Sequence, residues 1–132
     1  MRVSVDIETA LYGLLTAGGY NASAHALPST LGSTFPHVHV VRTGGFTSDL
    51  VVETHYVDFD VYAADQADAM KEASNICEWV RNLEGQTIGT CPCYSSEITT
   101  LPYGNPDPRH PTIGRATLKA QILTRTRGAN NA

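Results

Sequence analysis

The fold is decided by one stretch of the chain, residues 57–83, which has the sequence VDFDVYAADQADAMKEASNICEWVRNL. Its first seven residues alternate between apolar and polar side chains, as in a strand with one buried face. After Asp65, apolar residues recur at intervals of three and four, which is typical of an amphipathic helix. The stretch therefore predicts a strand followed by a helix from Asp65 to about Leu83. At ~1.5 Å per residue, this helix is long enough to cover one face of a small sheet.

Weaker patterns on both sides of this stretch predict the other elements. Residues 6–16 have the apolar spacing of a short helix. Residues 37–42 and 50–63 predict two strands that are close enough in sequence to form an antiparallel hairpin. Residues 87–101 predict a strand interrupted at a proline, and residues 112–126 predict a final long strand.

The predicted order is helix, strand, strand, helix, strand, strand. This order indicates an α+β domain with a single, mostly antiparallel sheet of about four strands, one long helix packed on it and a short N-terminal helix. The domain spans residues 1–127, and residues 128–132 form a flexible C-terminal tail. Glycine, serine and proline predict loops at residues 18–35, 44–50 and 102–111.

Length and composition restrict the possible classes of protein. The chain has 132 residues, 42% of them hydrophobic and 17% charged, which is typical of one globular domain. No apolar run approaches the ~18–20 residues that cross a bilayer, and the first residues do not resemble a secretory signal. Together with the three cysteines, an odd number, this indicates reduced thiols in a cytoplasm.

The charges are unevenly distributed along the chain. Thirteen acidic and nine basic residues give a net charge of −4, so a general basic surface for nucleic acid is absent. Nine of the acids lie in residues 49–84, and five bases but no acids lie in residues 108–132. The two segments are therefore electrostatic partners, either within one chain or between neighbouring copies.

Two histidines and two cysteines offer the residue types of a zinc site. His37-x-His39 places both imidazoles on one strand face, and Cys91-x-Cys93 supplies two thiols elsewhere. The single residue between the cysteines is shorter than the usual zinc spacing, and Pro92 stiffens that pair. We expect these residues to serve as ordinary strand positions and expect no metal.

A pair of carboxylates offers a second candidate for chemistry. Asp58 and Asp60 share a strand face with Tyr62, and paired carboxylates can act as acid and base or bind a divalent cation. No nucleophile motif or phosphate-binding loop accompanies them, and residues 44–45 lack the strand-to-helix context of such a loop. The sequence therefore predicts no catalytic residue and no cofactor.

Several motifs occur in a fixed order along residues 1–127. They are a helix with Leu11, Leu14 and Leu15, a strand PHVHVVR at 36–42 followed by TGG at 43–45, a strand VDFDVYA at 57–63, an alanine-rich helix at 65–83 followed by glycine, a loop with PDP at 106–108, and a closing strand at 115–124. This order resembles that of the tail terminator (tail-completion or minor tail) proteins of long-tailed siphophages.

The resemblance implies a non-enzymatic virion protein that assembles in the host cytoplasm. In this family a ring, expected to be a hexamer, caps the tail tube, stops its growth and provides the docking surface for the head connector. The implied partners are further copies of the chain, the major tail tube protein and the head–tail connector proteins. The genome passes through such a ring without sequence-specific contact, and no membrane is involved.

Two sets of contact residues follow from these patterns. The uneven charge predicts subunit-interface residues, and the loops predict residues that face the tube or the connector. The interface set is Asp58, Asp60, Arg115, Lys119 and Arg125, and the loop set is Gly44, Gly45, Phe46, Tyr103, Asp107 and Arg109. Two alternatives remain open: another head–tail connector or neck completion protein, and a small metal-dependent enzyme that uses Asp58 and Asp60.

Overall fold

The computed structural model of the chain describes residues 2–48 and 51–128. Asp49 and Leu50, which belong to the predicted hairpin, and residues 129–132 of the predicted tail lie outside the described residues. The described elements, in chain order, are β1 (Arg2–Val3), α1 (Ile7–Ala17), β2 (Asn21–Ala24), a 3₁₀ turn (Leu31–Ser33), β3 (His37–Ser48), β4 (Val52–Ala63), α2 (Gln66–Arg81), β5 (Thr87–Ile88), β6 (Cys91–Gly104), β7 (Gly114–Arg125) and β8 (Arg127–Gly128).

Six of these strands form one curled sheet in the order β2-β3-β4-β7-β6-β5. Neighbouring strands are antiparallel except β2 and β3, which are parallel, and β1 pairs separately with β8. The domain is therefore a mixed α+β fold with two helices. The predicted sheet of about four strands under one long helix is wrong, although the predicted hairpin of β3 and β4 is confirmed.

Two strands of this sheet that the sequence does not predict as separate elements are short and lack an alternating pattern. β2 has the sequence NASA and lies within the predicted loop at 18–35, where only its parallel pairing with β3 makes it a strand. β5 has two residues and pairs with the start of β6. Strands of this length form only beside a neighbouring strand. They cannot be predicted from their own sequence, because so few residues bury too little apolar surface to leave a pattern.

β6 is a continuous strand of 14 residues, although the sequence predicts a broken strand followed by a loop. The register between β6 and β7 shifts at three places, and one shift spans Pro102. These irregularities accommodate proline in a strand that has little pairing on its other side. β3 likewise continues through the predicted break at residues 43–45, with a register shift between Arg42 and Gly44.

Both helices cover the same face of the sheet and enclose the core. Asp65, where the predicted helix begins, accepts a hydrogen bond from the Asp68 N–H at 2.8 Å and caps α2. The helix ends at Arg81, slightly before the predicted Leu83. Trp79 contacts Phe59 edge-on, with ring centroids 6.4 Å apart, so the tryptophan packs against the sheet. No helix in the described part of the chain combines the length and apolarity needed to cross a membrane.

Candidate functional site in the open face and edges of the sheet

The side of the sheet opposite the helices is called the outer face here. In β4, Val57, Phe59 and Val61 are buried beneath the helices, and the alternating residues Asp58 and Asp60 therefore lie on the outer face. The strand registers place the following residues on the same face: His37, His39 and Val41 of β3; Tyr56 and Tyr62 of β4; Arg115, Thr117, Lys119 and Gln121 of β7.

The predicted interface residues Asp58 and Lys119 form an ion pair within one chain. They are directly opposite each other in β4 and β7, and Lys119 Nζ donates to Asp58 Oδ2 at 2.8 Å. This hydrogen bond raises the pKa of Lys119. The complementary charges of the acidic and basic segments are therefore partly satisfied inside the molecule, and this pair does not need a second copy.

Asp60 takes part in a relay of hydrogen bonds rather than an ion pair. Thr117 Oγ1 donates to Asp60 Oδ1 at 2.7 Å, and Asn105 Nδ2 donates to Thr117 Oγ1 at 3.0 Å. Arg115 Nε donates to the carbonyl oxygen of Asn105 at 2.6 Å. This relay attaches the loop after β6 to the outer face.

Asp107 is the buried anchor of that loop, with only 3% of its surface exposed. Tyr62 Oη donates to its carboxylate at 3.2 Å, the Arg109 N–H donates at 3.0 Å, and His110 Nδ1 lies 3.1 Å away. Burial opposes ionisation of this carboxylate, but the hydrogen bonds and nearby Arg115 outweigh it and lower the pKa of Asp107 to about 2. Within the chain Asp107 holds the loop in place, and whether this loop faces the tube or the connector stays a prediction.

Ser23 of β2 joins two histidines of β3. Its Oγ lies 2.8 Å from His37 Nε2 and 2.7 Å from His39 Nδ1. A hydroxyl carries one proton, so it donates to one ring and accepts from the other. Burial lowers the pKa of both histidines, which favours their neutral forms. In the described residues His39 has no hydrogen bond to a carboxylate, so the third group of a catalytic triad is missing.

A groove of about 600 Å³ lies between the loop that follows β2 and the loop anchored by Asp107. Asp60, Tyr62 and Arg115 form part of its floor, and the exposed side chain of Arg109 lies at its rim. The polar groups of the floor are already joined to neighbours by hydrogen bonds. The groove is therefore mainly the space left between two loops that fold onto the outer face.

Aromatic side chains are exposed at the end of the sheet away from these loops. Phe46 is 54% exposed, and its ring lies 6.4 Å from that of Tyr56, which is 39% exposed. Gly44 and Gly45 lie in β3, just before Phe46, whereas the sequence predicts a loop at these residues. A Cβ at Gly45 would overlap the carbonyl oxygen of Thr54 on the neighbouring strand, so the close approach of β3 and β4 requires glycine there.

The other predicted contact residues lie on or beside the same face. Arg125 is exposed near the end of β7 and donates to the hydroxyl of Tyr94 at 3.2 Å. Tyr103 is in β6 rather than in a loop, and the Arg109 side chain is largely exposed. The structure thus gathers the five predicted interface residues on β4 and β7, and whether they contact a second copy stays a prediction.

The histidine and cysteine pairs do not form a common site. His37 and His39 are on the outer face of β3, whereas Cys91 and Cys93 are buried in β6, on the other side of β4 and β7. Within residues 2–48 and 51–128, no three histidine, cysteine, aspartate or glutamate residues are placed to hold a metal ion. The carboxylates of the enzyme alternative, Asp58 and Asp60, are engaged by Lys119 and Thr117.

Two edges of the sheet are open over much of their length. Among the described residues, β2 pairs only with residues 37–40 of β3, so residues 41–48 have no strand on their outer side. On the opposite edge, β5 pairs only with residues 91–92 of β6, and no strand in the described part of the chain lies on the outer side of residues 94–104. Open edges present unpaired backbone groups to other chains.

The sequence did not predict the residues that organise the outer face. Ser23 is in a segment with no regular apolar or charge pattern. Thr117 and Asn105 are polar residues of common types that carry no motif. The one usable signal was the alternation in β4, which assigns Asp58, Asp60 and Tyr62 to one face. Their partners depend on the register between β4 and β7 and on the path of the loop at 105–113.

Comparisons with known proteins give no relative on which to base an identification. No family model matches the chain, and no curated protein matches it significantly.

Proposed function

We propose that this chain is a structural virion protein of a long-tailed phage that forms a ring, expected to be a hexamer, at the end of the tail tube. The ring stops growth of the tube and provides the docking surface for the head connector. Its partners are further copies of the chain, the major tail tube protein and the connector proteins, and the genome passes through its lumen. The protein carries out no catalysis and needs no cofactor.

The observation that carries this proposal is the pair of open edges on opposite sides of the sheet. One is the distal part of β3 and the other is most of β6. Two different edges allow head-to-tail contacts between copies, and contacts of this kind close into rings when the rotation between copies fits. Proteins usually protect exposed edges from association, so long open edges on both sides favour an assembling subunit.

The arrangement of the outer face supports a structural role as well. The carboxylates and histidines there hold strands and loops together through Lys119, Thr117 and Ser23. Exposed Phe46 and Tyr56 add an apolar surface suited to protein contact. These features are compatible with the order of motifs that resembles the tail terminators.

Native mass spectrometry of the purified protein tests the ring directly. We expect a discrete oligomer, with six chains as the expected number, and a ring-shaped particle in electron micrographs. Addition of the protein to a polymerising tail tube is expected to stop growth and leave tubes with one capped end. A strictly monomeric protein that neither binds tubes nor occurs in virions would overturn the proposal.

Localisation along the particle separates this function from the alternative neck component. Antibody labelling of virions is expected at the junction next to the tube. Label next to the portal, with no effect on tube growth, would favour a connector completion protein instead.

A further inference from the structure

The two open edges of the sheet run in opposite directions. The strands β3, β4, β7 and β6 are neighbours and each pair is antiparallel, so the direction reverses three times from one edge to the other. A second copy placed beside the first in the same orientation would therefore bring its β3 edge antiparallel to the β6 edge of the first. The alternation continues across the boundary without inverting either copy.

Each open edge contains one short run of regular strand. On β3 the register shift between Arg42 and Gly44 leaves residues 44–48 in unbroken register with β4. On β6 the shifts leave residues 95–98 in unbroken register with β7, whereas Pro102 interrupts the later part. The register shifts and Pro102 of β6 disfavour pairing with unrelated strands, because bulges and prolines interrupt the regular row of backbone hydrogen-bonding groups along an edge. They restrict regular pairing on this edge to residues 95–98.

The two regular runs lie at the same level of the sheet. Three rows of paired residues cross all four strands: Phe46–Thr54–Leu123–Ser95, Gly45–His55–Ile122–Ser96 and Gly44–Tyr56–Gln121–Glu97. A copy added at the same level would continue these rows, so that Ser95 of one copy faces Phe46 of the next and Glu97 faces Gly44. Exposed Tyr94 and exposed Phe46 lie beside this junction from the two sides.

We propose that residues 95–98 of one copy pair as an antiparallel strand with residues 44–48 of the next copy. This inference rests on the proposed ring and names the surface that joins its subunits. Backbone hydrogen bonds supply the contact, as in other cases of strand addition. The aromatic side chains next to the junction cover it, and the head-to-tail arrangement repeats around the ring.

A cysteine pair tests the junction in the whole protein. In F46C/S95C the two cysteines lie on opposite edges of one chain, three strand spacings or about 14 Å apart, which exceeds the ~7 Å limit for a disulfide. Oxidation is therefore expected to link different copies and to give a covalent ladder that ends at the number of chains in the native ring. The natural cysteines Cys77, Cys91 and Cys93 are buried.

Matched variants control for other routes to a disulfide. F46C/L101C places the second cysteine on the same strand beyond the register shift at Ile98/Thr100 and within the next one, at an exposed position, and is expected to give no ladder. The single variants F46C and S95C report any reaction with the natural Cys93. Rings in native mass spectrometry without a ladder from F46C/S95C would overturn the junction while leaving the proposed function intact. A monomeric protein would overturn both, and crosslinks made only to the tube protein would assign these edges to a different partner.

Discussion

At the scale of single residues, Asp107 links the chemistry of one carboxylate to the shape of the outer face. It is buried, and Tyr62, the Arg109 backbone and His110 surround its two oxygens. The loop after β6 contains three prolines, at positions 106, 108 and 111, which cannot donate backbone hydrogen bonds. Its position therefore depends on this carboxylate and on the contact between Asn105 and Thr117.

Replacement of Asp107 by asparagine is expected to destabilise the protein by about 2 kcal/mol, because the groups that hydrogen-bond to the buried carboxylate lose its negative charge. The measurement is the free energy of unfolding in urea. E84Q is the matched control, since Glu84 is exposed, and its unfolding free energy is expected to change by less than about 0.5 kcal/mol. Equal stability of D107N and wild type would contradict the assigned anchoring role.

The buried histidines make stability depend on pH. Burial lowers the pKa of His37, His39 and His55 below 6.5, so the folded state binds fewer protons than the unfolded state. The resulting stability is fully present above pH 6.5 and is lost as the pH falls below it. Asp107, with a pKa lowered from 3.8 to about 2, adds a second loss as the pH falls below 3.8.

Unfolding in urea at a series of pH values measures this dependence. The midpoint is expected to fall as the pH drops below 6.5, and H39Q is expected to show a smaller fall because one of the three histidines no longer titrates. Glutamine keeps a group that can bond to Ser23. A pH dependence of H39Q equal to that of wild type would show that His39 does not contribute.

At the scale of elements, Gly44 and Gly45 of β3 allow the effect of a positive φ to be separated from the effect of a close contact with the neighbouring strand. Both have positive φ, 156° and 158°, but only Gly45 lies against the neighbouring backbone. G45A is expected to be clearly less stable than G44A, because a Cβ at Gly44 meets no atom within 4 Å. Thermal unfolding of the two variants measures the difference, and equal melting temperatures would contradict a destabilising contact between a Cβ at residue 45 and Thr54.

The elements that the sequence predicts well are those with a pattern of their own. α2 has an apolar stripe and a capping aspartate, and β4 has a clean alternation, so both were predicted nearly within their bounds. β2 has four small residues and becomes a strand only beside β3. β6 contains prolines that argue for a loop, and they are accommodated because most of its outer edge is unpaired.

The same reasoning explains what could be predicted of the candidate site. The alternation in β4 is local, so it places Asp58 and Asp60 on one face. Their partners Lys119 and Thr117 are 61 and 57 residues away, and only the register between β4 and β7 selects them. The uneven charge along the sequence was visible, but its two outcomes, pairing within a chain or between copies, could not be separated without that register.

At the scale of the whole molecule, F46D is expected to prevent formation of the proposed ring, because it would place a charge at the proposed junction between copies and removes an exposed aromatic side chain. Y12D is the matched control, since Tyr12 is also exposed but lies on α1. Native mass spectrometry measures the oligomer, and thermal unfolding checks that both variants fold. Intact rings of F46D would contradict a junction at the β3 edge.

The alternating direction of the four central strands has a consequence for symmetry. Copies that join β6 to β3 all point the same way around the axis, so no two-fold axis lies in the plane of their assembly. Its top and bottom surfaces would then be chemically unlike, built from opposite ends of the same strands. An assembly with two unlike surfaces could bind the end of a growing polymer through one of them only. The other surface would then form the new end, and it would differ from the polymer end that the assembly covers.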